Sequence, residues 1–451
     1  MKFLRKMIQR VFWCLLCSMM VSVSVAGQGS SGQVIGQNTV SESTDRLNTI
    51  TTAVPFLLIA PDTRSGAIGD CGVASSHDAS AIHWNPAKLG FAENELGFAV
   101  SYTPWLKKLV NDINLSYLAG YKQIDKYQVI GASLRYFTLG NIQFTDEYGN
   151  EIRQYRPNEF AIDVAYARKL SENFAGGLAI RYINSNLTGG TSVGGATSKP
   201  GRSVAADVSA YYQKDDIKLG ERTGELAAGI NISNIGNKMS YTSTSKRDFI
   251  PINLRLGPRF TYNIDEFNTI AITVDFNKLL VPTAPVYKTD SNGQVLTDDE
   301  GNLEIAAGKD PNRAVANGMF GSFTDAPGNP VLDQNSQYVY NTDGSVQIEK
   351  NSRFREEMRE IMWAVGLEYW YNDQFTLRGG YFWEHELKGN RKYFTLGAGI
   401  RYNVFGLDFS YLIPAYFGSN STQQSPLQNT VRFTLTFDFE AFKKQQEGDI
   451  N

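Results

Sequence analysis

Apolar and polar residues alternate one by one in many short segments between Glu95 and Glu440, a pattern that predicts β-strands with one apolar face. We count fourteen such segments, and most reach the roughly nine to eleven residues that a strand needs to cross a bilayer. The predicted strands lie at 95–105, 111–122, 126–139, 158–169, 173–186, 202–213, 224–233, 251–263, 267–277, 358–371, 374–384, 391–402, 405–414 and 428–440.

The joints between these segments alternate in length. Tight joints follow most even-numbered segments, and longer polar joints follow the odd-numbered ones, the longest at 278–355. Two joints are exceptions: the joint at 215–223 follows an even-numbered segment but is long, and the joint before Arg391 follows an odd-numbered segment but is short. Bacterial membrane barrels pair short periplasmic turns with long external loops in this way. The chain is therefore predicted to be an all-β protein, a 14-stranded antiparallel transmembrane β-barrel over 95–440.

The alternation also predicts which face of each strand meets lipid. In the last segment Phe433 and Leu435 alternate with Arg432 and Thr434, so one face is apolar and the other polar. An Arg near the bilayer midplane would cost about 2–4 kcal/mol on the lipid side, which favours a polar face in the lumen. A soluble β-sandwich is the alternative, but its solvent face would seldom carry so many Phe, Tyr and Ile. The charges predicted to face the lumen are Arg135, Asp163, Asp207, Asp275, Arg378, Arg401 and Arg432.

The amino-terminal residues predict export. Four basic residues precede an apolar run, and Ser24-Val25-Ala26 suits a signal-peptidase site, so 1–26 is predicted to be a signal peptide. The Gly- and Ser-rich stretch 27–52 is predicted to be a flexible periplasmic leader, and 441–451 a polar periplasmic tail. With the signal removed only Cys71 remains, so no intrachain disulfide is available.

Composition narrows the class further. No later segment reaches the roughly eighteen to twenty consecutive apolar residues of a membrane helix, which argues against a helical membrane protein. The formal net charge of −3 does not point to a nucleic-acid partner. Inside the eighth predicted strand, Pro258 lacks a backbone N–H and predicts a β-bulge.

Residues 53–94 differ from both the leader and the strands. This segment begins with an apolar run between prolines, continues with small residues around Gly69, and ends with a tryptophan motif. Its many small residues would allow close packing against a wall of strands, so it is predicted to fold into the lumen as a plug, or hatch. Its motif positions are Pro55, Pro61, Asp62, Arg64, Gly69, Asp70, Trp84, Asn85, Pro86 and Ala87.

This block of motifs closely resembles the amino-terminal region of the PorV family, the outer-membrane shuttle proteins of the Bacteroidetes type IX secretion system. The tripeptide Asn85-Pro86-Ala87 also resembles the hatch of the wider FadL family of long-chain fatty-acid transporters. Both resemblances imply a fourteen-stranded barrel with an amino-terminal hatch, integral to the bacterial outer membrane and in contact with its lipid and lipopolysaccharide.

The PorV resemblance implies a non-enzymatic role without a cofactor. Such a protein binds secreted cargo at a giant translocon barrel by recognising a conserved carboxy-terminal domain of the cargo. It then carries the cargo to an attachment complex that contains a sortase-like protease. The external loops 278–355 and 140–157 are the surfaces expected to contact these partners. The FadL resemblance leaves an alternative open, a transporter of fatty acids or other hydrophobic small molecules. The charged lumen and the polar insertion favour protein docking.

The sequence gives weak support for two other functions, a Ca²⁺ site and a lipid hydrolase. The Asp- and Asn-rich stretch 287–350 offers oxygen ligands for Ca²⁺, but the spacing of an EF-hand is absent, and solvated hairpin turns explain it better. A lipid hydrolase would need a Ser, His and acid set. Of the three histidines, His77 and His83 fall in the predicted plug and His385 lies at a strand end, and no Gly-x-Ser-x-Gly elbow occurs.

Overall fold

The computed structural model describes residues 47–106, 112–145, 148, 150–190, 192–193, 196–242, 247–290, 294–334, 337–415 and 426–439. Fourteen antiparallel strands pair in sequence order, and the last pairs with the first to close a barrel. The predicted fold class is confirmed. The strands are β1 Leu96–Pro104, β2 Ile113–Gln123, β3 Gln128–Leu139, β4 Asn158–Ser171, β5 Phe174–Asn186, β6 Gly201–Leu219, β7 Arg222–Gly236, β8 Asn253–Asn263, β9 Asn268–Leu279, β10 Met362–Tyr371, β11 Phe375–Trp383, β12 Lys392–Tyr402, β13 Phe405–Pro414 and β14 Val431–Asp438.

The closing seam shows the two faces of the wall. In β14, Phe433 and Leu435 are each 46% exposed, whereas Arg432 and Thr434 are 1% and 2% exposed. Thr434 lies opposite Ser101 of β1, and their hydroxyl oxygens are 2.7 Å apart inside the barrel. Closure leaves the barrel without an unpaired sheet edge, which a hydrocarbon environment requires.

The loops show the alternation of joint lengths more regularly than the sequence suggests. The joint expected at 215–223 is only two residues long, because β6 runs to Leu219 and β7 begins at Arg222. A bulge at Pro258 is a wrong prediction: the β8–β9 register is the same on both sides of it, at Leu256 with Phe276 and Arg259 with Thr273. Because Pro258 lacks a backbone N–H, the β8–β9 ladder loses pairs beside it but keeps its register.

The longest connection, between β9 and β10, has structure of its own. It contains a hairpin of Val286–Tyr287 with Ile305–Ala307 and two helices, Val315–Gly321 and Ser352–Arg359. The second helix and the turn after it occupy positions 358–361, which the sequence assigns to the tenth strand. Two smaller loop hairpins pair Ile142–Thr145 with Glu151–Tyr155 and Ser192–Val193 with Ala196–Thr197. Among the described residues, no helix has the length and apolar composition needed to span a membrane.

The segment 53–94 lies against the inner faces of the strands. It consists of four short helical pieces, Pro55–Leu58, Thr63–Ala67, Ala81–Trp84 and Pro86–Phe91, and most of its side chains are buried. We refer to it as the plug segment. At one end Ala53 N–H donates to Phe249 O in a long loop, and at the other Gln123 N–H donates to Glu95 O beside a short turn. The plug segment therefore passes through the barrel from the long-loop opening to the short-turn opening.

Several sequence predictions concern the chain termini. The predicted signal peptide, positions 27–46 of the predicted leader and the predicted tail 441–451 lie outside the described residues. Residues 47–52 belong to the predicted periplasmic leader, yet the Asn48 N–H donates to Leu387 O in the loop between β11 and β12. They lie at the long-loop opening, the opposite end from the short turns, because the plug segment enters the barrel there.

Candidate functional site

The first motif of the plug segment stabilises its own turns. Pro55 begins the first helical piece and is exposed, whereas Pro61 is buried directly before Asp62. Asp62 caps the helix Thr63–Ala67, since its Oδ2 accepts a hydrogen bond from the Ser65 N–H at 2.8 Å. Its Oδ1 accepts another from Trp84 Nε1 at 2.6 Å.

Arg64 joins the plug segment to the wall. Its Nε and Nη2 donate to the two carboxylate oxygens of Glu368 on β10 at 3.0 and 2.7 Å, a bidentate pair. Glu368 also accepts from Arg378 at 2.6 Å, and Arg378 in turn pairs with Asp408 at 2.7 Å. Arg401, which is partly exposed, pairs with Asp408 at 2.7 Å. The predicted charges Arg378 and Arg401 thus belong to one chain of ion pairs that ends on the plug segment.

The pair Gly69-Asp70 makes a tight turn against the wall. Gly69 has a φ of +76°, and a Cβ there would lie 2.9 Å from the backbone of Tyr381, so only glycine fits. Its N–H donates to Thr395 Oγ1 at 2.9 Å. Asp70 accepts a hydrogen bond from Tyr393 at 2.5 Å and lies 3.5 Å from Arg432 Nη2. Arg432 Nη1 also donates to Gly66 O at 3.2 Å, so this wall charge contacts the plug segment directly.

The motif Asn85-Pro86-Ala87 contacts the opposite part of the wall. The Asn85 side-chain amide donates to Val73 O and Ala210 O at 2.9 and 3.1 Å, and its oxygen accepts from the Ala87 N–H at 3.1 Å. Pro86 begins the last helical piece, a position where its missing N–H has no cost. The Ala87 N–H also donates to Ser209 Oγ on β6 at 3.0 Å. The tripeptide therefore joins two parts of the plug segment to one strand.

Sequence reasoning missed a second anchor around Lys88. Its Nζ donates to Gly72 O at 2.7 Å and Ser75 Oγ at 2.8 Å. Asp275 on β9, one of the predicted lumen charges, accepts from the Gly72 and Val73 N–H groups at 2.7 and 3.0 Å. In the sequence, the only signal for Lys88 is its position directly after the motif Asn85-Pro86-Ala87. Its hydrogen bonds form because the chain folds back onto Gly72 and Ser75, which the sequence alone does not show.

The remaining predicted charges form two further groups. Asp163 and Asp207 both pair with Arg181, at 2.5 and 3.1 Å, and all three are buried. Arg135 donates to Leu57 O at 2.8 Å and contacts His83 Nδ1 at 2.5 Å. The His83 ring thus joins the plug segment to the barrel wall. In the described part of the chain, no group of three or more His, Cys, Asp or Glu side chains could hold a metal ion.

A cluster of buried charges fixes the long loop to the barrel, and sequence reasoning missed it too. Lys278 Nζ contacts Glu357 and Glu360 at 3.1 and 2.6 Å, and Lys388 Nζ contacts Glu356 and Glu360 at 2.8 and 3.0 Å. The glutamates lie on or directly after the helix Ser352–Arg359, while Lys278 lies on β9 and Lys388 in another loop. This loop network holds the largest insertion in one position over the barrel.

The family comparison decides the identity of this plugged barrel. The family model described as "Type IX secretion system protein PorV" matches residues 41–286, more than half of the chain and including the whole plug segment. The chain belongs to the PorV family. It is therefore an outer-membrane barrel protein related to type IX secretion. None of the curated proteins compared with the chain matches it.

Solved structures similar to this PorV-family barrel include two toluene transporters and a FadL homologue. The Pseudomonas putida toluene transporter TodX is 13% identical, with a TM-score of 0.40 over 87% of this chain and 98% of that one. A Pseudomonas aeruginosa FadL homologue is 12% identical, with a TM-score of 0.41 over 87% and 100%. The Ralstonia pickettii toluene transporter TbuX is 11% identical, with a TM-score of 0.41 over 85% and 98%.

Proposed function

We propose that this protein binds secreted cargo at the type IX translocon, through the conserved carboxy-terminal domain of the cargo, and carries it to the sortase-like attachment complex. The observation that carries the proposal is the contrast between a filled lumen and a structured outer face. Buried ion pairs and hydrogen bonds hold the plug segment against the wall, while the loop network fixes the longest loop. A barrel of this kind is suited to binding a partner on its loop face.

The loop face has the composition of a recognition surface. Phe320 and Phe354 in the long loop are 72% and 69% exposed, and Tyr148 in the loop after β3 is 81% exposed. Exposed aromatic side chains on fixed supports are frequent anchors of protein interfaces. The proposal is a binding role, and it requires no catalyst. His385 lies at the rim, where its Nδ1 accepts from the Leu387 N–H at 3.2 Å.

The experiment is an affinity purification of the tagged protein from its native membranes in mild detergent, followed by mass spectrometry. We expect co-purification of a giant barrel, a sortase-like protease and proteins that share one carboxy-terminal domain. A barrel that carries only bound lipid or fatty acid would instead support the transporter.

A loop variant makes the experiment sharper. The stretch 331–347 contains two consecutive small hairpins, one closed by the bridge of Leu332 with Tyr338 and the other by that of Tyr340 with Val346, and it lies outside the loop network. Replacing it by a short Gly-Ser linker is expected to lower the recovery of secreted cargo at least ten-fold. The same linker inserted between Asn372 and Asp373, in a short turn at the opposite opening, is the control and should leave recovery unchanged. Equal recovery from both variants would contradict the involvement of this loop.

A further inference from the structure

The long loop between β9 and β10 contains the same small backbone unit twice. The first unit is 288–304 and the second is 331–347, and their positions correspond in order. Each unit contains two consecutive hairpins, with bridges at equivalent positions. Each also contains a closed ring of three backbone hydrogen bonds. The ring joins Lys288, Leu296 and Glu304 in the first unit, and Val331, Val339 and Gln347 in the second. The two units therefore have one backbone fold, although their side chains differ.

The second unit lies beside a strand pair of the same loop, Val286–Tyr287 with Ile305–Ala307. The Tyr338 hydroxyl donates to Tyr287 O at 3.1 Å. Val346 borders the same groove as Ile305–Ala307, and it is only 6% exposed. The second unit thus turns an apolar face, formed by Tyr338 and Val346, toward a short antiparallel strand pair.

The corresponding face of the first unit is open. Val295 stands at the position of Tyr338, and Leu303 at that of Val346, yet they are 45% and 44% exposed. Leu303 lies opposite Thr297, two positions after Val295, so the side chains of Val295 and Leu303 share one face. Exposed apolar side chains rimmed by polar residues mark an interaction site. Because the second unit shows what this face contacts, we expect a short strand pair to cover the first unit as well.

The charge of the first unit indicates which strand pair it can accept. It carries five carboxylates against one lysine, a formal charge of −4, whereas the second unit carries only two carboxylates. The lysine, Lys288, is already paired with Glu304 at 2.9 Å, and Asp299 and Glu300 are exposed. Charge complementarity suppresses an acidic partner and attracts a basic one. The five carboxylates are Asp290, Asp298, Asp299, Glu300 and Glu304.

We propose that the first unit docks a short antiparallel strand pair of a partner protein, one that places apolar side chains on Val295 and Leu303 and carries Lys or Arg beside them. This inference rests on the proposed function, since it gives the chemistry of a partner segment that meets the long loop. It assigns that contact to 288–304, a stretch separate from the hairpins of 331–347.

The test measures the fluorescence anisotropy of labelled peptides with the full-length protein in phosphatidylcholine nanodiscs, with empty nanodiscs as the blank. The probe is a disulfide-closed hairpin in which Lys alternates with Ile, and a matched hairpin has Glu in place of each Lys. We expect the lysine hairpin to bind and the glutamate hairpin to bind at least ten-fold more weakly. A linear form, with Ser in place of both Cys, should bind at least three-fold more weakly. No binding by the lysine hairpin, or equal binding by the glutamate hairpin or the linear form, would overturn the proposal.

Two pairs of variants locate the binding. Asp299→Lys with Glu300→Lys should lower the affinity for the lysine hairpin at least ten-fold. Glu172→Lys with Glu221→Lys, the same charge change at exposed positions in two short turns at the opposite opening, is the control and should leave it unchanged. In the second pair, Val295→Ser with Leu303→Ser should weaken binding at least five-fold relative to Val295→Ile with Leu303→Met, which keeps the face apolar. Equal affinities within both pairs would place the hairpin on another surface and overturn the inference.

The affinity purification is read separately from the hairpin measurement. Recovery of cargo without binding of the lysine hairpin would overturn this inference and leave the proposed function standing. Binding of the hairpin at the first unit without recovery of cargo would contradict the proposed function and leave a docking site for a basic strand pair.

Discussion

The Arg64–Glu368 pair should control how tightly the plug segment is held. Removing one partner of a buried ion pair typically costs about 3–5 kcal/mol, because the other charge is left without compensation. In Arg64→Met the remaining carboxylate still has Arg378 at 2.6 Å, so the expected cost lies near the lower end, about 3 kcal/mol. A cost of that size corresponds to roughly a hundred-fold higher population of the detached plug segment.

Hydrogen exchange of the purified barrel measures that population. The Gly66 N–H donates to Asp62 O, and the Asp70 N–H donates to Ser65 O at 3.0 Å, so both amides exchange only when this part of the plug segment opens. We expect their exchange to accelerate about a hundred-fold in Arg64→Met. Arg181→Met is the matched control, because Arg181 pairs with wall residues alone. Acceleration below ten-fold, or equal acceleration in the control, would refute the view that this pair anchors the plug segment.

Three further predictions follow from the wall, the plug segment and the long loop. A cysteine at Phe433 should react with lipid-soluble reagents and one at Thr434 should not; the reverse labelling would mean that the strand register is shifted by one residue. Deletion of 53–92 should raise the conductance of the barrel in planar bilayers, and unchanged conductance would show that the segment does not block the lumen. Burial raises the pKa of Asp325 to about 6, although Arg313 opposes the shift. Because the folded loop favours the protonated carboxyl, lowering the pH from 7.5 to 5 should slow hydrogen exchange of the long loop after correction for intrinsic rates, and Asp325→Asn should show little such dependence. A variant that keeps the full dependence would assign it to another group.

The strands were predictable where their two faces differ in polarity. Arg432 and Thr434 alternate with Phe433 and Leu435, and that contrast determines both the strand and its register. The pattern disappears where a strand leaves the membrane. The end of β6 at Leu219 was not predicted, because the polar run 213–216 interrupts the alternation before Ile217 and Leu219.

The partners of the lumen charges could not be read from the sequence. Alternation predicts that Arg378 faces inward, but its pairing with Glu368 depends on which strands are neighbours and on which residues oppose each other. The helix Ser352–Arg359 was missed in part because Met358 and Ile361 continue the apolar pattern of the strand that follows. Its glutamates are buried only because Lys278 and Lys388 approach from elements far away in sequence.

The contact of the plug segment with the last strand has a consequence for the order in which we expect the barrel to assemble. The Thr63 N–H donates to Thr434 Oγ1 at 2.9 Å, a contact between residues 371 positions apart in the chain. Contacts of such separation form late, since most of the chain must be in place before they can be made. We therefore expect the residues around Thr63 to settle only after β14 is in place, and a barrel truncated before that strand should not close. Binding of this part of the plug segment to β14 would then mark a closed barrel.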